Sequence, residues 1–206
     1  MRPPLRVAAL AAALVLSSCT GTKMVQVWRE PDYKPQPVKR IFIVCVMPND
    51  RTRVVVENTL AQALLDKGFL SATSTGVFEF AELDKEKATA WVRQNDVDLV
   101  IVQRLVKHTE LAYMPGTLDA VPPAAYYGGW WPTYGTGDGF WYTSSFLEED
   151  TSVRTDTTVF SARSEPEKLV WRGASNTFNI QSVEGGARSL ADALVGDLVK
   201  AGILVK

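Results

Sequence analysis

The sequence has few of the residues that build catalytic and metal sites. Its 206 residues include two cysteines, Cys19 and Cys45, and one histidine, His108. One histidine and two distant cysteines do not supply the ligands of a Cys/His zinc cluster. The chain also lacks the Gly-x-Ser-x-Gly and His-Glu-x-x-His motifs of hydrolases. We therefore expect no metal, no cofactor and no catalytic residue.

Basic charge is also scarce. The chain has 22 Lys and Arg against 23 Asp and Glu, which gives a formal net charge of -1. Proteins that bind nucleic acids contact phosphates through clustered Lys and Arg, and the sequence contains no such cluster. These features exclude a nucleic acid as the expected partner.

The apolar run at the start of the chain is too short to span a bilayer. It covers ten residues, 7–16, which is about half of the roughly 20 that a spanning helix needs. Arg2 and Arg6 stand at its start, and Ser17 and Ser18 follow it. A basic region, a short apolar region and small residues, in this order, are typical of a bacterial export signal. We predict a signal peptide at residues 1–18.

Leu16-Ser17-Ser18-Cys19 resembles the processing motif of bacterial lipoproteins. The resemblance implies that Cys19 carries a diacylglyceryl group on its sulfur and an acyl chain such as palmitate on its new amine. One chain holds a protein at a membrane only marginally, whereas two or three hold it almost permanently. Thr20 stands where an aspartate would signal inner-membrane retention. The resemblance therefore favours the outer membrane, with the protein facing the periplasm.

Residues 19–39 are polar and contain three prolines, Pro31, Pro35 and Pro37. Prolines at this spacing favour extended backbone and prevent a continuous helix. We predict a lipid-anchored tether that lets the domain stand away from the membrane. Residues 24–28 have enough β character for an edge strand, so a partly docked tether and a disordered one are both open.

Residues 40–206 are predicted to form a single α/β domain. Residues 41–46 are an unbroken apolar run, typical of a strand buried on both faces, with Cys45 as a small hydrophobic side chain. Asn49 can cap a helix that ends near Gly68, and Asp84 can start a second helix. A short strand at 69–73 and a buried strand from Leu99 complete a β-α-β-α-β order.

The second half of the domain changes to antiparallel pairing. Along residues 151–163, successive side chains alternate between an inner set and a more polar outer set, which is the period of a β-strand. The pattern predicts a strand with one solvent-exposed face that carries Arg154, Asp156 and Thr158. Residues 168–180 return as its partner, and Gly173 indicates a bulge or a close backbone approach. A last helix is expected at 183–201. The predicted fold class is α+β, with a mixed sheet: β-α-β-α-β, a long loop, an antiparallel hairpin and a C-terminal helix.

Short segments resemble a family of uncharacterised bacterial lipoproteins. They are the lipoprotein motif, Trp28-Arg29-Glu30-Pro31-Asp32-Tyr33, the helix ending at Lys67-Gly68, and Val170-Trp171-Arg172-Gly173. The layout is similar to the amino-terminal domain of TolB and to the lipoproteins CsgG and LpoB. The resemblance implies a role in envelope assembly, secretion or enzyme activation, and it carries over no catalytic residue. Two long amphipathic strands suited to a CsgG-like pore are not evident.

The loop at residues 114–146 is rich in glycine and in large aromatic residues. Long loops of this kind are usually functional or disordered, and Tyr and Trp supply contact area with a polar group. Three interpretations are open: a contact for a protein partner or the acyl layer, a platform for glycan or peptidoglycan, and internal packing. The candidate binding residues are Tyr126, Tyr127, Trp130, Trp131, Tyr134, Phe140, Trp141 and Tyr142.

The function expected from the sequence is that of a non-catalytic, membrane-anchored envelope lipoprotein. Its domain would serve protein interaction or assembly, with the membrane and an envelope protein as partners. A peptidoglycan-binding or glycan-binding lipoprotein is the alternative. An envelope hydrolase is a second alternative, because Glu148, Glu149 and Asp150 could supply the two carboxylates of a glycosidase. Adjacent acidic residues, however, more often form a solvated strand end.

Overall fold

The computed structural model describes residues 20–47, 49–79, 84–106, 130, 152–164 and 166–206. The strands are β1 (Gly21–Arg29), β2 (Arg40–Val46), β3 (Leu70–Thr73), β4 (Leu99–Val106), β5 (Val153–Ser161) and β6 (Lys168–Phe178). The helices are α1 (Asp50–Asp66), α2 (Ser74–Val77), α3 (Lys85–Gln94) and α4 (Val183–Lys200). None of the helices within these ranges combines the length and the apolar character that crossing a bilayer requires.

The strands form one mixed sheet in the order β1-β6-β5-β4-β2-β3. Strand β2 runs parallel to β3 and β4, and every other neighbouring pair is antiparallel. The helices α1 and α3 lie in the chain between the parallel strands, and α4 follows the β5-β6 hairpin. The predicted α+β class with a mixed sheet is confirmed.

The helices begin at side chains that accept hydrogen bonds from free backbone N–H groups. Asn49 Oδ1 accepts from Thr52 N at 2.9 Å, and Asp84 Oδ1 accepts from Lys87 N at 2.8 Å. These caps satisfy donors that have no partner inside the helix. Gly68 follows α1 with a φ of 84°, a left-handed conformation that glycine adopts without a Cβ clash. The predicted starts of α1 and α3 are confirmed.

One face of the sheet is covered by α1 and α4. Alternate residues of β2 point to this side, and Cys45 among them is 0 % exposed, as predicted. Burial of apolar surface at about 25 cal/mol per Å² is the main force that holds these layers together. The buried apolar residues of this layer include Ile41, Ile43, Leu60, Leu64, Ile101, Trp171, Leu190, Leu194 and Leu198.

The opposite face is covered by α3 over β2 and β4. Phe42 and Val44 of β2 point to this side, which explains why the whole β2 run is apolar. Ala88 and Val92 of α3 pack against them, and so does Trp130. Strand β2 is therefore buried on both faces, as its sequence indicates.

The predicted solvent-exposed face of β5 is wrong. Arg154, Asp156 and Thr158 are buried, with exposed fractions of 8 %, 3 % and 2 %. Strand β5 lies between β4 and β6, near the middle of the sheet. The side chains do alternate between the two faces of β5, but both faces are buried at residues 154–158. The polar side chains form a buried cluster instead of a wet surface.

The stretch predicted as a tether contributes a strand to the sheet. Residues 21–29 form β1, which pairs antiparallel with β6 along its length. Of the two alternatives for this stretch, a docked edge strand and a disordered tether, the structure shows the docked edge strand at residues 21–29. The sheet thus begins ahead of the predicted domain boundary at residue 40, because β6 offers β1 a full row of backbone hydrogen-bonding groups.

Gly173 marks a close approach between a strand and an aromatic ring. The indole of Trp171, two residues earlier on β6, is fully buried and lies against Gly173. A Cβ at position 173 would overlap this ring and would lie 2.9 Å from Met24 Cε. The register shift in the hairpin falls nearby, between Val159 and Phe160. The close approach expected at this glycine is present.

The Gly173→Ala variant should be destabilised by about 1–3 kcal/mol, because the added methyl group overpacks a fully buried ring. Gly196 provides the matched control, since a Cβ there meets nothing within 4 Å. Gly196→Ala, in the interior of α4, should be stabilised by about 0.5–1 kcal/mol. Urea unfolding of both variants measures the difference. Equal stability of the two would contradict the overlap.

Candidate functional site

Six strand ends meet at one edge of the sheet. Strands β2, β3, β4 and β6 end there, while β1 and β5 begin there. We call it the carboxyl edge, after the parallel strands β2, β3 and β4. In open α/β sheets, ligands bind outside the carboxyl ends of parallel strands, and β2, β3 and β4 form the parallel part of this sheet. The edge is therefore the first place in which to seek a site.

A buried carboxylate organises this edge. Glu57 of α1 is 0 % exposed. Its Oε1 accepts hydrogen bonds from Cys45 N at 2.9 Å and from Ser74 Oγ at 2.6 Å. Its Oε2 accepts from Thr75 N at 2.9 Å and from Thr75 Oγ1 at 2.8 Å. Four donors thus compensate for the loss of water around this charge.

Arg53 completes the charge balance around Glu57. Its Nε lies 3.6 Å from Glu57 Oε1, and the side chain is 3 % exposed. The two residues are one turn apart on α1, a spacing that brings their side chains together. The pair joins α1 to the end of β2 and to α2.

Cys45 beside this carboxylate is held as a neutral thiol. Burial raises its pKa well above the ordinary value, the charge of Glu57 raises the pKa further, and Arg53 lowers it. The Sγ donates a long hydrogen bond of 3.5 Å to Gln103 Oε1. Nucleophilic cysteines need a lowered pKa and access to solvent, and Cys45 has neither. Its role is packing.

A cleft of about 410 Å³ opens above the Glu57 cluster. Arg53 and Thr75 belong both to the cluster and to the cleft lining. The lining mixes two carboxylates, one guanidinium and apolar side chains, so no single ligand charge is selected. Its full lining is Asp50, Arg53, Val54, Thr75, Gly76, Val77, Phe78 and Glu79. The described part of the chain contains no group of three or more His, Cys, Asp or Glu that could hold a metal ion.

A second cluster of charges lies on the face of the sheet that α3 covers. Asp156 is surrounded by Arg104, Arg154 and Arg172, whose charges all act on its carboxyl group. Arg154 Nη2 donates to Gln26 Oε1 at 2.7 Å, and its Nε lies 3.8 Å from Asp156 Oδ1. Both Asp156 oxygens are buried without a hydrogen bond from the described residues.

Burial is the largest influence on the pKa of Asp156. It raises the pKa of this carboxyl to about 6, although Arg154, Arg172 and Arg104 each lower it. Desolvation exceeds the attraction because no close, well-aligned hydrogen bond from these arginines supports the carboxylate. Sequence reasoning missed this cluster, because it assigned Arg154 and Asp156 to a solvent-exposed face that the fold buries.

Trp130 is the one predicted loop residue that the structure describes. Its side chain is 1 % exposed and packs edge to face on Phe42, with 6.1 Å between ring centroids. For this residue, the structure agrees with the internal-packing interpretation. The other candidate residues lie outside the described ranges: Cys19, Tyr126, Tyr127, Trp131, Tyr134, Phe140, Trp141 and Tyr142.

The start of the described chain is fixed on the carboxyl edge. Thr20 Oγ1 donates a hydrogen bond of 2.8 Å to the Asn179 carbonyl, just after β6. Thr22 Oγ1 lies 2.9 Å from Thr177 Oγ1 across the β1-β6 pair. Residue 20 is therefore part of the folded domain and not of a spacer.

Comparison with known proteins gives no family. No family model matches the chain, and no curated protein matches it. Two PelC dodecamer structures from Paraburkholderia phytofirmans align over 84 % and 86 % of this chain and 98 % and 96 % of theirs. Their sequences are 11 % and 12 % identical to this one, and both TM-scores are 0.45. A likeness at this level does not establish a shared fold, and we base the function on the residues of this chain.

Glu57→Ala should cost about 3–5 kcal/mol of stability, because it removes one partner of a buried ion pair and the acceptor of buried donors. Asn58→Ala is the matched control, since Asn58 is the next residue of α1 and is exposed. It should change stability by less than about 0.5 kcal/mol. Guanidinium unfolding measures both. A loss for Glu57→Ala no larger than the control's would show that the carboxylate does not hold the edge together.

Asp156 should make stability fall as pH rises. Its pKa is about 6 in the fold and about 3.9 in an unfolded chain, so the native state holds the proton more tightly. The stabilisation that protonated Asp156 contributes is fully present below its pKa in the unfolded chain. It is lost as the pH rises through its pKa in the folded protein. Because Asp156→Asn cannot titrate, its stability relative to the wild type should rise by about 1–3 kcal/mol between roughly pH 4 and pH 7. Urea unfolding across this range measures it, and a constant difference would contradict the raised pKa.

Proposed function

We propose that this protein is a non-catalytic lipoprotein of the bacterial envelope, anchored through Cys19. The observation that carries the proposal joins sequence and structure at one point. The lipoprotein motif ends at Cys19, and β1 starts two residues later at Gly21, with Thr20 hydrogen-bonded to the Asn179 carbonyl. Cleavage before Cys19 would therefore leave all six strands of the described sheet in the mature protein. It would leave the new N-terminus two residues from β1.

A structural use for the buried reactive groups supports a non-catalytic role. Glu57 is engaged by four hydrogen bonds that join secondary structures, and Cys45 is a buried neutral thiol. Catalytic acids and nucleophiles are instead poised in reach of a substrate. On this basis we assign the domain an accessory function, in which it docks an envelope protein at the membrane.

The outer membrane, with the domain in the periplasm, is the location that the resemblance to bacterial lipoproteins implies. Thr20 after the lipidated position supports it, because an aspartate there would be the inner-membrane signal. The aromatic residues of 114–146 other than Trp130 remain the proposed contact with a protein partner.

Cys19→Ala should abolish lipid attachment and leave the product unprocessed or soluble. The wild type should gain the mass of a diacylglyceryl group with an N-acyl chain and should sediment with the outer-membrane fraction. Cys45→Ala is the matched control, because Cys45 is 0 % exposed inside the sheet, and it should still be lipidated. Mass spectrometry and membrane fractionation give the result. Normal processing and membrane association of Cys19→Ala would overturn the proposal.

A further inference from the structure

The carboxyl edge lies next to the point of lipid attachment. Only Thr20 separates Cys19 from β1, and Thr20 itself is bonded to the Asn179 carbonyl. Two Cα–Cα steps of 3.8 Å place Gly21 within about 7 Å of the lipidated residue. A chain this short cannot act as a spacer, so the domain has to sit at the surface in which its anchor is embedded.

We propose that the carboxyl edge rests against the lipid bilayer and that the strands run away from the membrane. The proposal depends on the Cys19 lipid proposed above. It adds an interaction surface on the folded domain, with the lipid headgroup layer as its partner.

The backbone pairing defines which residues share this surface. One row across the sheet joins Thr22 of β1, Thr177 of β6 and Val153 of β5. The next row continues the same edge to Val106 of β4. Neighbouring strands lie about 4.8 Å apart, so the three spacings from β1 to β4 cover about 14 Å. The full carboxyl edge, from β1 to β3, has five such spacings and is about 24 Å wide. The anchor is therefore at one end of the edge, and the ends of β1, β6, β5 and β4 lie within about 14 Å of that end.

Exposed apolar side chains lie on the same edge. Val153 at the start of β5 is 36 % exposed, and Val183 at the start of α4 is 44 % exposed. The exposed charges there, including Lys23, Asp50, Arg51 and Glu184, have both signs. Contact would thus come from the anchor and apolar side chains, and it would not require anionic lipid.

Helix α4 provides two matched positions for the test. Val183 begins the helix at the carboxyl edge, and Val199 lies near its end, with similar exposures of 44 % and 45 %. Sixteen residues of helix separate them by about 24 Å. The far end lies at the opposite edge, because Val205 after α4 accepts a hydrogen bond from Val38 N, just before β2 begins.

The experiment uses the full-length lipidated protein in phosphatidylcholine vesicles. Val183→Cys and Val199→Cys are each labelled with a fluorophore, while Cys45 is 0 % exposed and should stay unlabelled. A nitroxide on the lipid headgroup then quenches nearby labels. The label at 183 should be quenched several-fold more than the label at 199. Equal quenching, or stronger quenching at 199, in vesicle-bound protein overturns the orientation.

Flotation of the same samples separates this proposal from the one on which it rests. If the protein floats with the vesicles but its two labels are quenched equally, the lipid anchor is present and the carboxyl edge does not rest against the bilayer. Protein that does not float, and whose mass shows no lipid, refutes the anchor and the orientation with it. Both labelled variants should unfold at the same urea concentration as the wild type, which shows that the labels report on the native domain.

Discussion

The buried carboxylate of Glu57 is the constraint on which the carboxyl edge depends. An ionised carboxylate inside a protein is tolerated only when donors replace its water. Here the donors come from the end of β2 and from α2, and the carboxylate comes from α1. One charge therefore fixes three elements relative to one another. It also lines up the ends of β2 and β3 beneath the cleft, with Arg53 as the balancing charge.

The same sheet holds a second buried charge in a less favourable setting. Asp156 has arginines nearby, but its two oxygens receive no hydrogen bond from the described residues. The pKa of Asp156 is raised, because nearby opposite charge offsets desolvation only in part when no directed hydrogen bond supplies the remainder. Asp156 is thus suited to respond to pH.

In the proposed arrangement, the edge strand β1 links the sheet to the membrane. Its pairing with β6 makes the N-terminal residues part of the domain. A tether would have let the domain sample many orientations above a bilayer. A docked strand would instead transmit the position of the proposed anchor to the sheet, because residue 20 is itself hydrogen-bonded to the domain. In this proposal, the lipid sets both location and orientation.

The sequence by itself determined the features that depend on near neighbours. Asn49 and Asp84 start helices because their side chains bond to backbone three residues ahead, and the apolar run of β2 had to be buried on both faces. Only the tertiary structure decided the roles of Glu57, Asp156 and β1. The donors of Glu57 lie 12 to 18 residues away. Asp156 is buried among Arg104, Arg154 and Arg172, which the fold brings around it, and β1 joins the sheet by pairing with β6. Partners so distant in the chain leave no local pattern, since the fold alone brings them together.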